Sequence, residues 1–269
     1  MLKDITLGQY YQTQSVIHRL DPRVKLVGTM LYMISLFLFD QFAGYVLAAL
    51  FLAMIIRLSK VPFHFMIRGM KAVMFLLCLT VVFNLFLTPG EPLLQLWRLT
   101  ITKEGLRISV FMAIRLTFLI IGSSIMTLTT TPNNLTDGME KLLKPLQRLR
   151  VPVHEISMMM SIALRFIPIL MEETDKIMKA QIARGADFES GNVVKKAKAM
   201  VPLLVPLFIS AFRRANDLAM AMEARCYQGG EGRTKMKPLH YEKRDYAAYG
   251  ILGIYLVLAI GAAWIKIFP

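Results

Sequence analysis

Apolar runs that approach the thickness of a bilayer recur along the chain, separated by short polar breaks. Residues 24–39 (VKLVGTMLYMISLFLF) and 43–58 (AGYVLAALFLAMIIRL) are nearly continuous and are parted by Asp40, Gln41 and Phe42, which predicts a tight helical hairpin. Residues 70–88 and 106–129 form a second pair, and 246–265 a last segment. A hydrocarbon core of about 30 Å asks for roughly 20 such residues, fewer where aromatic or basic residues flank them, so the pattern predicts five membrane spans. Between the third and fourth, TPGEPLLQLWRLTITKEG contains Pro89, Gly90, Pro92 and Gly105 and predicts a loop that at most dips into the interface.

Residues 130–245 are too long for a structureless connection, and their apolar period is helical. Three helices are expected. One covers about 133–149, opened by TPNNLTDGME and interrupted at Pro145. A second runs from Pro152 to Arg184, which is roughly 50 Å at 1.5 Å per residue, with a kink at Pro168. The third runs from Asn192 through KKAKAMVPLLVPLFISAFRR to EARCYQGG, bends at Pro202 and Pro206, and stops at Gly229 and Gly230. The apolar part of the second lies between Glu155 and Glu172 and contains Arg165; that of the third reaches only from Met200 to Phe212. Both are therefore expected along the membrane face or under other helices, a six- or seven-span arrangement being the alternative. The fold class is an all-α membrane protein with about five transmembrane helices plus long cytoplasmic helices, divided at 1–129, 130–245 and 246–269.

Composition agrees with that class: 55% of the 269 residues are hydrophobic and 19% charged. The net charge of +14 raises nucleic acid as a partner, but the distribution of the charge answers the question. Of the 32 Lys and Arg residues, all but Arg98, Lys103, Arg107, Arg115 and Lys266 lie in 1–25, 57–71 and 130–245. Basic residues accumulate on the cytoplasmic side, so the N-terminus and 130–245 are expected there in a multi-pass protein of the cell membrane. No nucleic-acid motif accompanies the charge. Cys78 and Cys226 show neither disulfide nor zinc spacing, and the polar start MLKDITLGQYYQ lacks the apolar core of a signal peptide.

Two places carry candidate chemistry. In SVIHRLDPRVKL, Asp21 suits a helix N-cap and Pro22 the first helical position, with Arg23 and Lys25 at the headgroups and His18 a satisfied interfacial histidine. The other place is a pair. AQIARG ends the second long helix and AMEARC the third, and aligning Arg184 with Arg225 matches Ala183 with Ala224, Ala180 with Ala221 and Ile177 with Leu218. At spacing three each triple forms one stripe, whose small residues admit another backbone while the arginine offers a planar fork of donors to a carboxylate. Ordinary capping of a helix C-terminus by a cation explains the same residues and stays open. No catalytic constellation assembles: His18, His64, His154 and His240 are scattered and there is no HExxH or phosphate loop. A membrane enzyme or a secondary transporter is the rival class, although only Arg115 places a charge well inside an expected span.

The sequence resembles the transmembrane coupling subunit, or T component, of energy-coupling factor transporters. The likeness rests on Ser15, His18, Leu20, Asp21, Pro22, Arg23 and Lys25, similar to the family's N-terminal signature, and on Ala183-Arg184-Gly185 and Ala224-Arg225-Cys226, similar to its paired Ala-Arg-Gly tips. What the resemblance implies is a non-catalytic subunit whose coupling helices cross and insert their arginines into acidic grooves of two ABC ATPases, one tip each. ATP and Mg would bind those ATPases and no cofactor this chain. A small substrate-binding membrane protein, the S component, would sit on the apolar faces of 156–171 and 200–212, and vitamins or metal ions would be the cargo. The Met residues there suit re-packing for several partners, and plain helix packing equally. Cys226 departs from the family's glycine, and a positive φ there would strain it. Lys176 and Lys179 before one tip and Glu223 before the other fit a heterodimer of ATPases.

Overall fold

The computed structural model describes residues 10–39, 41–71, 73–96, 99–188, 192–230 and 234–264. These form two compact units, one of residues 10–141 and 239–264 and one of residues 142–238. Each is described by itself.

The first unit contains α1 (Pro22–Ser35), α2 (Phe42–Ser59), α3 (Phe63–Lys71), α4 (Met74–Leu87), α5 (Lys103–Thr129), most of α6 (Pro132–Leu143) and α9 (Lys243–Trp264). Its core joins Tyr32, Leu36 and Phe39 to Ala48 and Leu52 of α2, Ile121, Ile125 and Leu128 of α5, and Leu252, Tyr255 and Ala259 of α9. Phe51 stacks on Tyr255 at 4.2 Å between centroids, and Tyr255 Oη and Ser35 Oγ share a 2.7 Å hydrogen bond. On α9 the period is plain: Leu252, Tyr255 and Ala259 are buried, while Ile251, Ile254, Val257 and Leu258 face outward. Outward apolar side chains such as Phe75 (77% exposed) and Val257 (71%) would be costly in water and suit a hydrocarbon surround.

Several boundaries differ from the sequence expectation. Helix α1 stops at Ser35, not residue 39. Leu36–Leu38 tighten into turns in which Phe37 N donates to Ile34 O and Leu38 N to Ser35 O. Helices α1 and α2 each pack on α5 and α9, so the expected hairpin is wedged by two later helices; Asp40 lies outside the described residues. The third apolar run, expected over 70–88, is the 14-residue α4, preceded by the separate α3. The expected loop at 89–105 contains an antiparallel hairpin, β1 (Pro92–Leu96) with β2 (Leu99–Thr102), closed by the pair Leu96 and Leu99. Thr102 then caps α5, its hydroxyl accepting from Gly105 N at 3.0 Å and donating to Thr88 O at 2.9 Å. At Gly105 a Cβ would stand 3.1 Å from the Asn84 and Leu85 carbonyls, so glycine sets how closely α4 approaches α5.

The second unit contains a 3₁₀ turn (Lys144–Leu149), α7 (Val153–Ala183) and α8 (Val193–Glu223), the turn marking the expected interruption at Pro145. Helix α7 is unbroken through Pro168, and α8 through Pro202 and Pro206. Among the described residues, four helices are long and apolar enough to cross a membrane: α2, α5, α7 and α9 over Lys243–Ala262, with α4 a shorter apolar helix. Helix α7 thus has the length and composition of a span, which the sequence expectation withheld, whereas the 14-residue α1 falls short of a full crossing.

Candidate functional site

The two arginine tips end α7 and α8 in the same backbone geometry. After α7, Gly185 N donates to Ile182 O at 2.9 Å and Ala186 N to Gln181 O at 2.9 Å, with Gly185 left-handed at φ 85°. After α8, Cys226 N donates to Glu223 O at 2.8 Å and Tyr227 N to Met222 O at 3.1 Å, with Cys226 at φ 53°. Both are Schellman motifs, in which one left-handed residue reverses the chain and satisfies the last carbonyls. Arg184 and Arg225 therefore hold the same position, one residue before the reversal. Ala183, Arg184 and Gly185 are exposed, as are Ala224, Arg225 and Cys226, and so are Ala180 and Ala221 one turn back. Among described residues, no ion pair binds either arginine. Cys226 has a free, exposed thiol. The positive φ that the sequence argument named as the source of strain is present there.

The helices that carry the tips cross antiparallel. Glu173 accepts from Ser210 Oγ and from Arg214 Nη2, the latter at 3.1 Å, and Gln181 Nε2 donates to the Pro202 carbonyl at 3.3 Å. Ile162, Phe166 and Leu170 of α7 share a groove with Ala215, Leu218 and Met222 of α8. The Arg184 end of α7 thus lies by the first half of α8, and the Arg225 end of α8 by the first half of α7, so the tips occupy opposite ends of the pair. On α8 the side away from α7 is an apolar stripe, with Val201, Leu204, Val205, Phe208, Ile209 and Phe212 all exposed at helical spacing.

The N-terminal signature forms a knot in the first unit. Asp21 caps α1 by accepting from Arg23 N at 2.8 Å, and its carboxylate also takes the Arg23 guanidinium at 3.0 and 2.8 Å. Arg23 lies over the Tyr241 ring at 3.8 Å. His18 Nε2 donates to the Tyr11 carbonyl at 3.0 Å, which leaves Nδ1 to accept from Ser15 Oγ at 2.7 Å. This is a neutral imidazole, and burial lowers its pKa from the usual histidine value. Lys25 Nζ donates to the carbonyls of His18 and Thr129, at 3.1 and 2.9 Å, tying α1 to the end of α5. Pro22 is buried at the first helical turn, and Leu20 lines a neighbouring apolar cavity. The signature residues are joined to one another, whereas the tips lie in the other unit.

Sequence reasoning missed Asp245, which is 1% exposed and accepts from Asp21 N at 2.9 Å and Glu242 N at 2.8 Å. An acid in the first turn of the last span was its only signal. It also missed Glu173 and Arg214 at the crossing. Arg115 pairs locally, donating to Tyr45 Oη and to the Phe39 carbonyl, both at 3.0 Å.

A family model described as CbiQ, a cobalt transport protein, matches residues 13–236, which include the signature and both tips. The energy-coupling factor transporter transmembrane protein EcfT of Clostridium kluyveri is 57% identical over 250 residues, covering 92% of this chain and 93% of the relative. The protein of that name from Thermosediminibacter oceani is 55% identical over 261 residues, 97% of each chain. The one from Bacillus subtilis is 48% identical over 246 residues, 91% of this chain and 93% of its own.

Proposed function

The chain belongs to the family of energy-coupling factor transporter transmembrane proteins, and we propose that it couples two ABC ATPases to a substrate-binding S component. The observation that carries this reading is the repetition of one helix end: the same Schellman reversal, the same exposed alanine stripe and an arginine without an ion pair among described residues, at opposite ends of a crossed pair. Capping alone accounts for an arginine near a helix end. It does not account for an alanine face one turn long kept open beside it on both helices. Each arginine offers a planar fork to a carboxylate, and each alanine face lets a groove wall close on the helix.

ATP and Mg²⁺ reside on the ATPases in this scheme, since the chain has neither a phosphate loop nor a catalytic constellation in its sequence. When the ATPases close and open, the force enters at the tips and turns α7 against α8 about the Glu173–Ser210–Arg214 contact. The apolar stripe of α8 is where the S component rides, with α7 and α8 lying along the cytoplasmic membrane face. Glu155 and Arg165 within the apolar stretch of α7 support that placement over a crossing, because charges in hydrocarbon are costly. The cargo is a vitamin or another micronutrient that the S component selects. Co-purification tests the reading. Arg184→Glu combined with Arg225→Glu should abolish recovery of the ATPases while the protein still inserts in the membrane, and retained ATPases in that double variant would refute it.

A further inference from the structure

The first unit contains a cavity of about 260 Å³ between α1, α2, α5 and α9 whose chemistry is one-sided. Among the described residues its only charged lining residues are Lys25 and Arg244, both at one end; Tyr32, Phe51 and Leu252 lie at the other. From Lys25 to Tyr32 the cavity follows α1 for about 10 Å of helix rise. About 10 Å is under two turns of helix, too short a bed to seat one, and beyond the two cations the wall is apolar. A single acyl chain is the right shape.

Two buried polar atoms at this cavity have no hydrogen-bond partner among the described residues, the Tyr32 hydroxyl and Arg244 Nε. Tyr32 is 3% exposed, and in hydrocarbon no solvent can satisfy it. Arg244 engages Glu242 through Nη2 at 2.9 Å, leaving Nε free, while Lys25 is held by two carbonyls and keeps its charge at the same end.

We propose that this cavity seats one anionic phospholipid: the phosphate sits at Arg244 Nε beside Lys25, and a chain runs from there past Gly28 toward Phe51 and Leu252. The bilayer supplies this ligand as solvent, and the charge at the mouth selects its headgroup. The lipid then fills the space between helices that meet at the signature knot. The proposal is independent of the tips.

The test uses the full chain, purified in detergent and stripped of lipid, then titrated with phosphatidylglycerol or phosphatidylcholine and read by native mass spectrometry and melting temperature. One phosphatidylglycerol binds, about five-fold tighter than phosphatidylcholine from a single cationic contact. Gly28→Leu fills the cavity, since a Cβ there meets only Leu252 at 3.8 Å, and it lowers lipid affinity at least about ten-fold. Arg244→Gln removes the headgroup preference. Tyr32→Phe raises the melting temperature of the lipid-free protein, because a buried unpartnered hydroxyl is gone. Absence of a stoichiometric lipid, or a Gly28→Leu variant that melts like the wild type and binds phosphatidylglycerol equally, overturns the proposal. So does a Gly28→Leu variant that loses a membrane partner with lipid binding unchanged, which would make the cavity a protein seat.

Discussion

The two tips offer a paired experiment in backbone strain. Gly185 sits at φ 85° with nothing within 4 Å of where a Cβ would stand, so Gly185→Ala adds no clash and changes only conformational energy. A left-handed L-residue costs about 1–2 kcal/mol, partly offset by about 0.5–1 kcal/mol because alanine restricts the unfolded chain more than glycine does. The net cost is about 1 kcal/mol, or roughly five-fold in the opening equilibrium of the cap. Cys226 already bears that strain at φ 53°, so Cys226→Gly should gain a similar amount. Amide hydrogen exchange reads both directly, because the Ala186 and Tyr227 amides make the outermost capping bonds. Exchange at Ala186 should quicken about five-fold in Gly185→Ala, and at Tyr227 slow about as much in Cys226→Gly. ATPase affinity should follow with the same signs if docking requires the ordered cap. Unchanged exchange at Ala186, or faster exchange at Tyr227, would refute the argument.

Asp245→Ala strands the Asp21 and Glu242 amides and should cost about 2–4 kcal/mol, seen as a lower melting temperature in detergent, with Asp245→Asn milder because one acceptor survives. His18 should confer acid sensitivity. Its folded pKa lies below its unfolded value of about 6.5, so its contribution is complete above that pH and is lost as pH falls through the folded value; His18→Gln should flatten melting temperature against pH in that window. Arg214 and Glu173 are 39% and 25% exposed in their side chains, so Glu173→Gln should cost under about 1 kcal/mol of stability. The same change should broaden the distance between spin labels on Ala183→Cys and native Cys226, while an unaltered distribution would remove the crossing contact from the mechanism.

What could be read from the chain follows the range of the interactions. The Asp21 cap, the Pro145 interruption and the Asn192 start are local, decided within a turn, and α7 ends at Ala183 where residue types place it, whereas α8 ends at Glu223 and reverses at Cys226, short of the expected stop at Gly229 and Gly230. The strain at Cys226 was legible for the same reason. Asp245 was not, because its partner Asp21 lies 224 positions away and only tertiary packing joins them. The apolar run 24–39 gave no sign that α1 would end at Ser35, since hydropathy does not distinguish helix from the tight turns that carry Leu36 and Phe39 into the core. Pro92 masked a strand because proline at a strand's first residue is tolerated where an interior one is not. The crossing contact hid behind side chains that read individually as solvated charges.

Crosslinking from the tips tests the central claim most directly. Cys226 is a native thiol on the second tip, and Ala183→Cys with Cys226→Ser moves the only tip thiol to the first, with Cys78→Ser in both backgrounds. With a short thiol-directed crosslinker and the assembled transporter, each tip should capture an ATPase subunit, and the two tips should capture different subunits. Both tips joined to one subunit, or neither joined to any, would contradict the account.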